Sequence, residues 1–192
     1  PAPQITGSIG SAPRHLVWVW QFRHDGDPEA MRATLAAHGL GIILKTHDGT
    51  SWMSRYDPTP YAIDGPATVE HWARFFEDGG VPFHAWALVK GHDPAREAEM
   101  AANVLAAGAR SFFVDLEAHS GFWAGTTRDA ETFGQALRQR QPGARISTSI
   151  DPRPWEIDRI PLQEFASFSD EIAPQFYWGN FANTANARRY AE

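Results

Sequence analysis

Two carboxylates stand close together in the chain, at the end of an apolar run. Asp115 and Glu117 close the segment 110–117, which reads RSFFVDLE. Residues i and i+2 of a strand share a face, so both carboxylates point the same way. Two buried carboxylates on one face repel each other, which raises the pKa of at least one of them. A carboxylic acid that keeps its proton near neutral pH can act as a general acid. We expect Glu117, nearer the strand end, to take this role, with Asp115 as the neighbour that tunes it.

The segment 110–117 is one of six strand-like segments, and each is followed by a helix-like one. Two of the helices open on Asp-Pro, at 27–28 and 93–94, which is typical of a capped helix start. Strands that alternate with helices of this length predict a parallel sheet. The predicted strands are 15–22, 40–46, 81–89, 110–117, 144–151 and 171–178. The predicted helices are 27–39, 65–80, 93–109, 127–143, 161–169 and 184–192.

The connections favour a (β/α) barrel of the TIM type over an open doubly wound sheet. Loops that follow strands, such as 46–64 and 118–127, are long and polar, whereas the returns to the next strand are short. This asymmetry is typical of a barrel whose site lies at the carboxyl ends of its strands. Six units are visible where a full barrel has eight, which predicts an incomplete or truncated barrel. We assign residues 1–14 to an amino-terminal extension and residues 15–192 to the barrel domain.

Several other predicted strands also end in polar side chains on the inward face. Because the carboxyl ends of parallel strands meet at one rim, we expect these side chains to lie near the carboxylate pair. They are the further candidates for catalysis or substrate binding: Lys45, His47, Asp151, Gln175 and Tyr177. The chain also contains eight tryptophans, whose flat rings can stack on sugars. Those expected to contact a substrate are Trp52, Trp86, Trp123 and Trp178.

Composition narrows the classes of function and partner. A net charge of −6 with scattered Lys and Arg argues against nucleic acid as a partner. The absence of cysteine removes disulfides and cysteine nucleophiles. No apolar run approaches the ~20 residues of a membrane-spanning helix, and the first residues lack a signal peptide pattern. The sequence predicts no cofactor or metal, and it determines neither the oligomeric state nor the compartment.

The motif FFVDLE at the end of a fourth strand resembles the Asp-x-Glu of two barrel families, the family 25 lysozymes and the family 18 chitinases. The segment PQFYW on the sixth strand is similar to a second motif of the chitinases, with Gln175 and Tyr177 at the matching inward places. The resemblance implies a glycoside hydrolase of a divergent branch, with Glu117 as proton donor and Asp115 as its assistant. Tyr177 would then steady the acetamido group of an N-acetylated amino sugar. The implied substrate is a polysaccharide similar to peptidoglycan or chitin, which favours an extracellular or cell-envelope location.

The sequence leaves open which group acts on the other side of the glycosidic bond from the general acid. Asp115 and Glu117 lie side by side on one strand and cannot easily flank a sugar ring, so a partner must come from Asp151, from Asp48 or from the acetamido group of the substrate. One rival to hydrolysis is a non-catalytic carbohydrate-binding barrel, which is compatible with Gln21 standing where the lysozymes carry an aspartate. Another is a metal-dependent barrel hydrolase that uses carboxylates and imidazoles of the rim. A Schiff-base role for Lys45 would need a desolvated pocket.

Overall fold

The computed structural model describes residues 15–176. Four of the predicted features therefore lie outside the described residues. They are the extension 1–14, the last helix 184–192, Tyr177 and Trp178.

Six parallel strands form one curled sheet, a half-barrel in which the helices alternate with the strands. The neighbours in the sheet follow the order of the chain, and a short strand over Ser51–Trp52 pairs antiparallel with the strand Gly41–Asp48. A doubly wound sheet would reverse its order at a switch point, so the winding in one direction is that of an incomplete barrel. The predicted fold class is confirmed. The strands are β1 (Leu16–Val19), β2 (Gly41–Asp48), β3 (Ser51–Trp52), β4 (Phe83–Leu88), β5 (Ser111–Leu116), β6 (Arg145–Ile150) and β7 (Glu171–Pro174).

Three of the described helices begin at a side chain that caps them. The carboxylate of Asp27 accepts hydrogen bonds from the first backbone N–H groups of the helix Pro28–Ala37, and Asp93 does the same for the helix Pro94–Ala106. Thr126 and Asp129 form a reciprocal capping box at the start of the helix Thr127–Arg140. The helices are α1 (Phe22–Asp25), α2 (Pro28–Ala37), α3 (Pro66–Asp78), α4 (Pro94–Ala106), α5 (Thr127–Arg140), α6 (Pro154–Ile157) and α7 (Leu162–Phe168). None of them has the length and apolar character that a bilayer crossing requires.

The two faces of the sheet carry separate apolar clusters. The outward residues pack with the helices in the main core, which includes fully buried Phe83, Phe112 and Phe133. The inward face holds a smaller cluster of Ile43, Trp86 and Phe113. Because side chains alternate along each strand, the inward row changes from apolar to polar as it reaches the carboxyl ends. The described helices pack on the outward face of the sheet, so the polar side chains at the carboxyl ends of the inward face are available to form a site.

The segment 46–64, predicted as a loop, contains regular structure. Strand β2 continues to Asp48, and the chain then turns at Gly49, whose φ of 55° is in the left-handed region. It returns as β3 and enters a 3₁₀ helix over Met53–Arg55, where Met53 is fully buried. At the other end of the sheet, β7 ends at Pro174, so the predicted strand 171–178 is shorter than expected.

Candidate functional site

A pocket of about 680 Å³ opens at the carboxyl ends of the strands, on the inward face of the half-barrel. Its walls combine flat aromatic rings with carboxylates and a single amine. The aromatic members are Trp18, Trp20, Trp86, Phe113, Phe122 and Phe176. The charged members are Asp25, Lys45, Asp48, Asp115 and Glu117. Aromatic walls with a few convergent polar groups are typical of sites for small or extended polar ligands.

Asp115 is the buried carboxyl group of this pocket. It is 6% exposed, and its Oδ1 accepts a hydrogen bond of 2.9 Å from the side-chain Nε2 of Gln175, which lies 3.2 Å from Ser149 Oγ. Burial raises the pKa of Asp115 to about 7, and the neighbouring charge of Glu117 adds to the rise, while Lys45 and the Gln175 hydrogen bond oppose it. Near neutral pH a substantial fraction of Asp115 is therefore a neutral acid, able to donate a proton.

Glu117 is the first residue after the end of β5 and lies nearer the rim of the half-barrel than Asp115 does. Its side chain is 15% exposed, and its Oε2 is 3.6 Å from Nε2 of His119, an imidazole that is itself 44% exposed. Both carboxyl groups line the pocket, as their spacing in the sequence predicts. The group whose pKa rises by burial is Asp115, to which the sequence assigned the tuning role.

Lys45 is a second unusual titratable group of the pocket. Its side chain is 3% exposed, and its Nζ lies 5.0 Å from the ring centre of Trp86, 5.1 Å from that of Tyr56 and 5.5 Å from that of Trp20. Burial lowers the pKa of Lys45 below its ordinary value, although the charges of Asp48 and Asp115 oppose the shift. The desolvated surroundings that a reactive lysine requires are therefore present.

A β-bulge moves His47 away from the pocket. The register between β2 and β4 shifts between Lys45 and His47, so that His47 pairs with Ala87 and not with an inward residue. The imidazole stacks on Phe112 of the main core and is 1% exposed. Burial, with a smaller contribution from Lys45, lowers its pKa to about 3, so His47 is neutral at ordinary pH. The expectation that it shares a face with Lys45 is not met.

Three further predicted residues lie outside the pocket lining. Asp151 accepts hydrogen bonds of 2.9 and 2.8 Å at its two oxygens from Nε of Arg153. Burial would raise the pKa of Asp151, but the hydrogen bonds from Arg153 outweigh it and hold the pKa below its ordinary value. Trp52 packs edge-on against His47, with ring centres 5.5 Å apart. Trp123 is 8% exposed and packs edge-on against Phe165 at 5.1 Å. Both indoles belong to the packing of the main core.

Of the predicted tryptophans, Trp86 lies in the pocket. It is 7% exposed, and its indole N–H donates a hydrogen bond of 2.9 Å to the carbonyl of Val19, which ties β4 to the end of β1. Trp18 contacts Trp86 and Phe113 at ring distances of 5.1 and 5.5 Å. Trp18 and Trp20 were not among the predicted site residues, yet both line the pocket and are 43% and 51% exposed. Their spacing of two at the end of β1, in the letters VWVW, was the signal that could have identified them.

A buried glutamate shapes the loop that follows β4. Glu97 is 1% exposed, and its two carboxylate oxygens accept hydrogen bonds of 2.8–3.4 Å from the backbone N–H groups of residues 90–93. Lys90, the first residue of this loop, reaches Asp48 with an Nζ–Oδ1 distance of 2.6 Å. Glu97 therefore fixes the backbone of the loop that carries Lys90, and Lys90 in turn forms the ion pair with Asp48 of the pocket.

Metal ligands are not grouped in the part of the chain that the structure describes. Among residues 15–176 no three or more His, Asp or Glu side chains are placed together so that they could hold an ion.

Comparisons with known proteins find little that is similar. No family model matches the chain, and no curated protein matches it. Among solved structures, the carboxyl transferase domain of pyruvate carboxylase from Rhizobium etli is similar, with a TM-score of 0.41 and 12% identity over 85% of this chain. The chain spans about a third of the length of that protein, 33%. The expected place in a divergent glycoside hydrolase branch that resembles the family 25 lysozymes and the family 18 chitinases is wrong, since no model of either family and no curated member of either matches the chain.

Proposed function

We propose that the pocket binds a glycan and hydrolyses a glycosidic bond in it. The observation that carries this proposal is Asp115, a carboxylic acid that retains its proton to about pH 7 at the wall of an aromatic pocket. Breaking a glycosidic bond requires a proton for the departing oxygen, and a buried acid with such a pKa is suited to supply it. Support comes from the site itself and not from any relative.

The two carboxyl groups divide the work according to their surroundings. Asp115 donates the proton to the glycosidic oxygen, and the carboxyl group of Glu117 is the one that faces the positive charge developing at the anomeric carbon. Gln175 holds the carboxyl group of Asp115 through the hydrogen bond at Oδ1. These proposed roles are the reverse of those expected from the sequence, because burial raises the pKa of Asp115 to about 7.

The group that attacks the anomeric carbon is then supplied by the substrate. Asp151 is engaged by Arg153, and Asp48 by Lys90 and Lys45. The Oδ2 of Asp25 accepts hydrogen bonds from the backbone N–H groups of Trp20 and Gln21, just before α1. An acetamido group next to the anomeric carbon would supply the missing nucleophile, so the proposed substrate is a glycan with N-acetylated amino sugars.

Hydrolysis of chitin oligomers and peptidoglycan fragments tests this function. The protein is compared with Asp115→Asn and Glu117→Gln, and with Glu131→Gln on the exposed side of α5 as a matched carboxyl-to-amide control. We expect Asp115→Asn to lose about 10²–10⁴-fold in rate, the range for a general acid, while the control is unchanged. Fully deacetylated oligomers should not be cleaved. Equal rates for the wild type and Asp115→Asn would refute the proposed acid.

A second candidate function is glycan binding without turnover. The ion pairs that occupy Asp151 and Asp48 favour it, since they leave no free carboxylate opposite Asp115 among the acidic residues discussed above. Calorimetry with the same oligomers distinguishes the two functions. Saturable binding that weakens on Trp86→Ala, with no product released over days, would support binding alone.

A further inference from the structure

The chain contains only two lysines, although it has seventeen lysines and arginines together. Both lysines approach the same carboxylate at the pocket, Asp48. Arginine serves for every other cationic side chain of the protein. The two residue types differ in one chemical respect that matters here, because an amine can lose its proton and attack a carbon atom, whereas a guanidinium stays charged.

The two lysines have different surroundings. Lys90 is partly exposed, at 27% of its side chain, and its Nζ lies 2.6 Å from Oδ1 of Asp48. Lys45 is 3% exposed, and its Nζ lies 3.6 Å from the other oxygen of the same carboxylate. One carboxylate therefore serves two amines, and the closer contact goes to Lys90. The charged form of Lys45 is left with the longer ion pair and three aromatic rings at 5.0–5.5 Å.

A proton donor faces the same cavity. Asp115 on β5 and Lys45 on β2 both line the pocket, as do Gln175, which donates a hydrogen bond to Asp115, and Ser149, which accepts one from Gln175. Burial favours the uncharged form of an amine and of a carboxylic acid alike. An amine and a carboxylic acid that line one cavity are the two groups that imine formation requires.

We propose that Lys45 is a carbonyl-capturing amine, which forms an imine with an aldehyde or ketone group of a ligand in the pocket. The Nζ lone pair attacks the carbonyl carbon, and a C–N bond forms as the C=O π bond breaks. The carbinolamine then loses its oxygen as water, for which Asp115 supplies the proton. The sum is the amine, the acid and the aldehyde on one side, and the protonated imine, the carboxylate and water on the other. Open-chain reducing sugars carry such a carbonyl group, but the step itself does not require the cleavage of a glycosidic bond.

Reductive trapping tests the proposal on the whole, unmodified chain. The protein is incubated at neutral pH with glycolaldehyde and cyanoborohydride, and the alkylated sites are located by peptide mass spectrometry. Lys90 is an internal control, since it is the other lysine and the more exposed one. We expect Lys45 to be labelled faster than Lys90, because burial lowers the pKa of Lys45 and so raises its fraction of free amine. Labelling of Lys90 at an equal or higher rate would overturn the proposal.

The role of Asp115 has its own readout in the same experiment. Asp115→Asn should slow labelling of Lys45 by about tenfold, since it removes the donor for dehydration, and should leave labelling of Lys90 unchanged. An unchanged Lys45 rate would show that Asp115 is not the donor. Lys45→Arg should abolish the major adduct, and the comparison of the two lysines in the wild type remains decisive if that variant does not fold. Because no glycan is present, the result is independent of the proposed hydrolysis.

Discussion

Asp115→Asn is expected to make the protein more stable at neutral pH. An aspartate of the unfolded chain has a pKa near its ordinary value of 3.8, whereas burial raises the pKa of Asp115 in the folded protein to about 7. Between these two values the folded state binds more protons than the unfolded state, so the free energy of unfolding falls as the pH rises. Asparagine has no proton to lose, and it keeps an oxygen that can accept the hydrogen bond from Gln175.

The size of the effect follows from the difference between the two pKa values. A shift from 3.8 to about 7 at about 1.4 kcal/mol per unit corresponds to about 4 kcal/mol at pH 7 and above. At about pH 5 the same relation leaves about 2 kcal/mol, and at about pH 3 nothing. The gain of Asp115→Asn over the wild type should therefore grow with pH and level off above neutrality. The site keeps a destabilising group because the chemistry proposed for it needs a neutral acid.

Urea unfolding of the wild type and the variant at several pH values measures this difference. The quantity to follow is the difference in unfolding free energy between the two proteins at each pH. Other titrating groups contribute equally to both proteins, so their contributions cancel in this difference. Glu131→Gln is the control and should show no gain at any pH. A variant that is no more stable than the wild type at pH 7, or whose gain is the same at pH 4 and pH 7, would refute the account of Asp115.

Three further predictions concern the scaffold of the site. Burial lowers the pKa of His47 in the folded protein to about 3, so the free energy of unfolding falls as the pH drops below the unfolded value of 6.5, by at most about 5 kcal/mol. His47→Gln should reduce this loss of stability at acid pH, as measured by urea unfolding at several pH values. Glu97→Gln should cost about 2 kcal/mol in urea unfolding, because one carboxylate accepts four backbone N–H groups and an amide offers a single acceptor oxygen. A Cβ on Gly91 would lie 2.8 Å from the Cα of Gly125 and 2.8 Å from the Trp123 ring, at a φ of 71°, so Gly91→Ala should lower the free energy of unfolding by about 3 kcal/mol. Gly39→Ala is the control, because Gly39 has a similar φ of 63° but open space around it, and should cost about 1 kcal/mol. Thermal unfolding measures both variants. Equal losses for the two glycine variants would contradict the steric argument.

Local sequence patterns were enough to predict the sheet and most of its helices. Apolar periodicity and the capping residues Asp27, Asp93 and Thr126 are local properties, and the short returns predict parallel strands wound in one direction. The position of Asp115 and Glu117 at the rim follows from the same alternation, because residues two apart on a strand share a face. For Lys45 and His47 this argument failed, since one extra residue in β2 turned His47 to the opposite side.

The surroundings of each charged group depend on the packing of the whole chain. Desolvation depends on every atom that packs around a side chain, so the raised pKa fell on Asp115, and Lys45 was buried among rings from three separate segments. Ion pairs also engage carboxylates that sequence spacing alone presented as free to react. Asp48 pairs with Lys90, and Asp151 pairs with Arg153. Side-chain spacing is a local property, whereas burial and pairing are set by the whole fold, and they decide which of the rim residues can do chemistry.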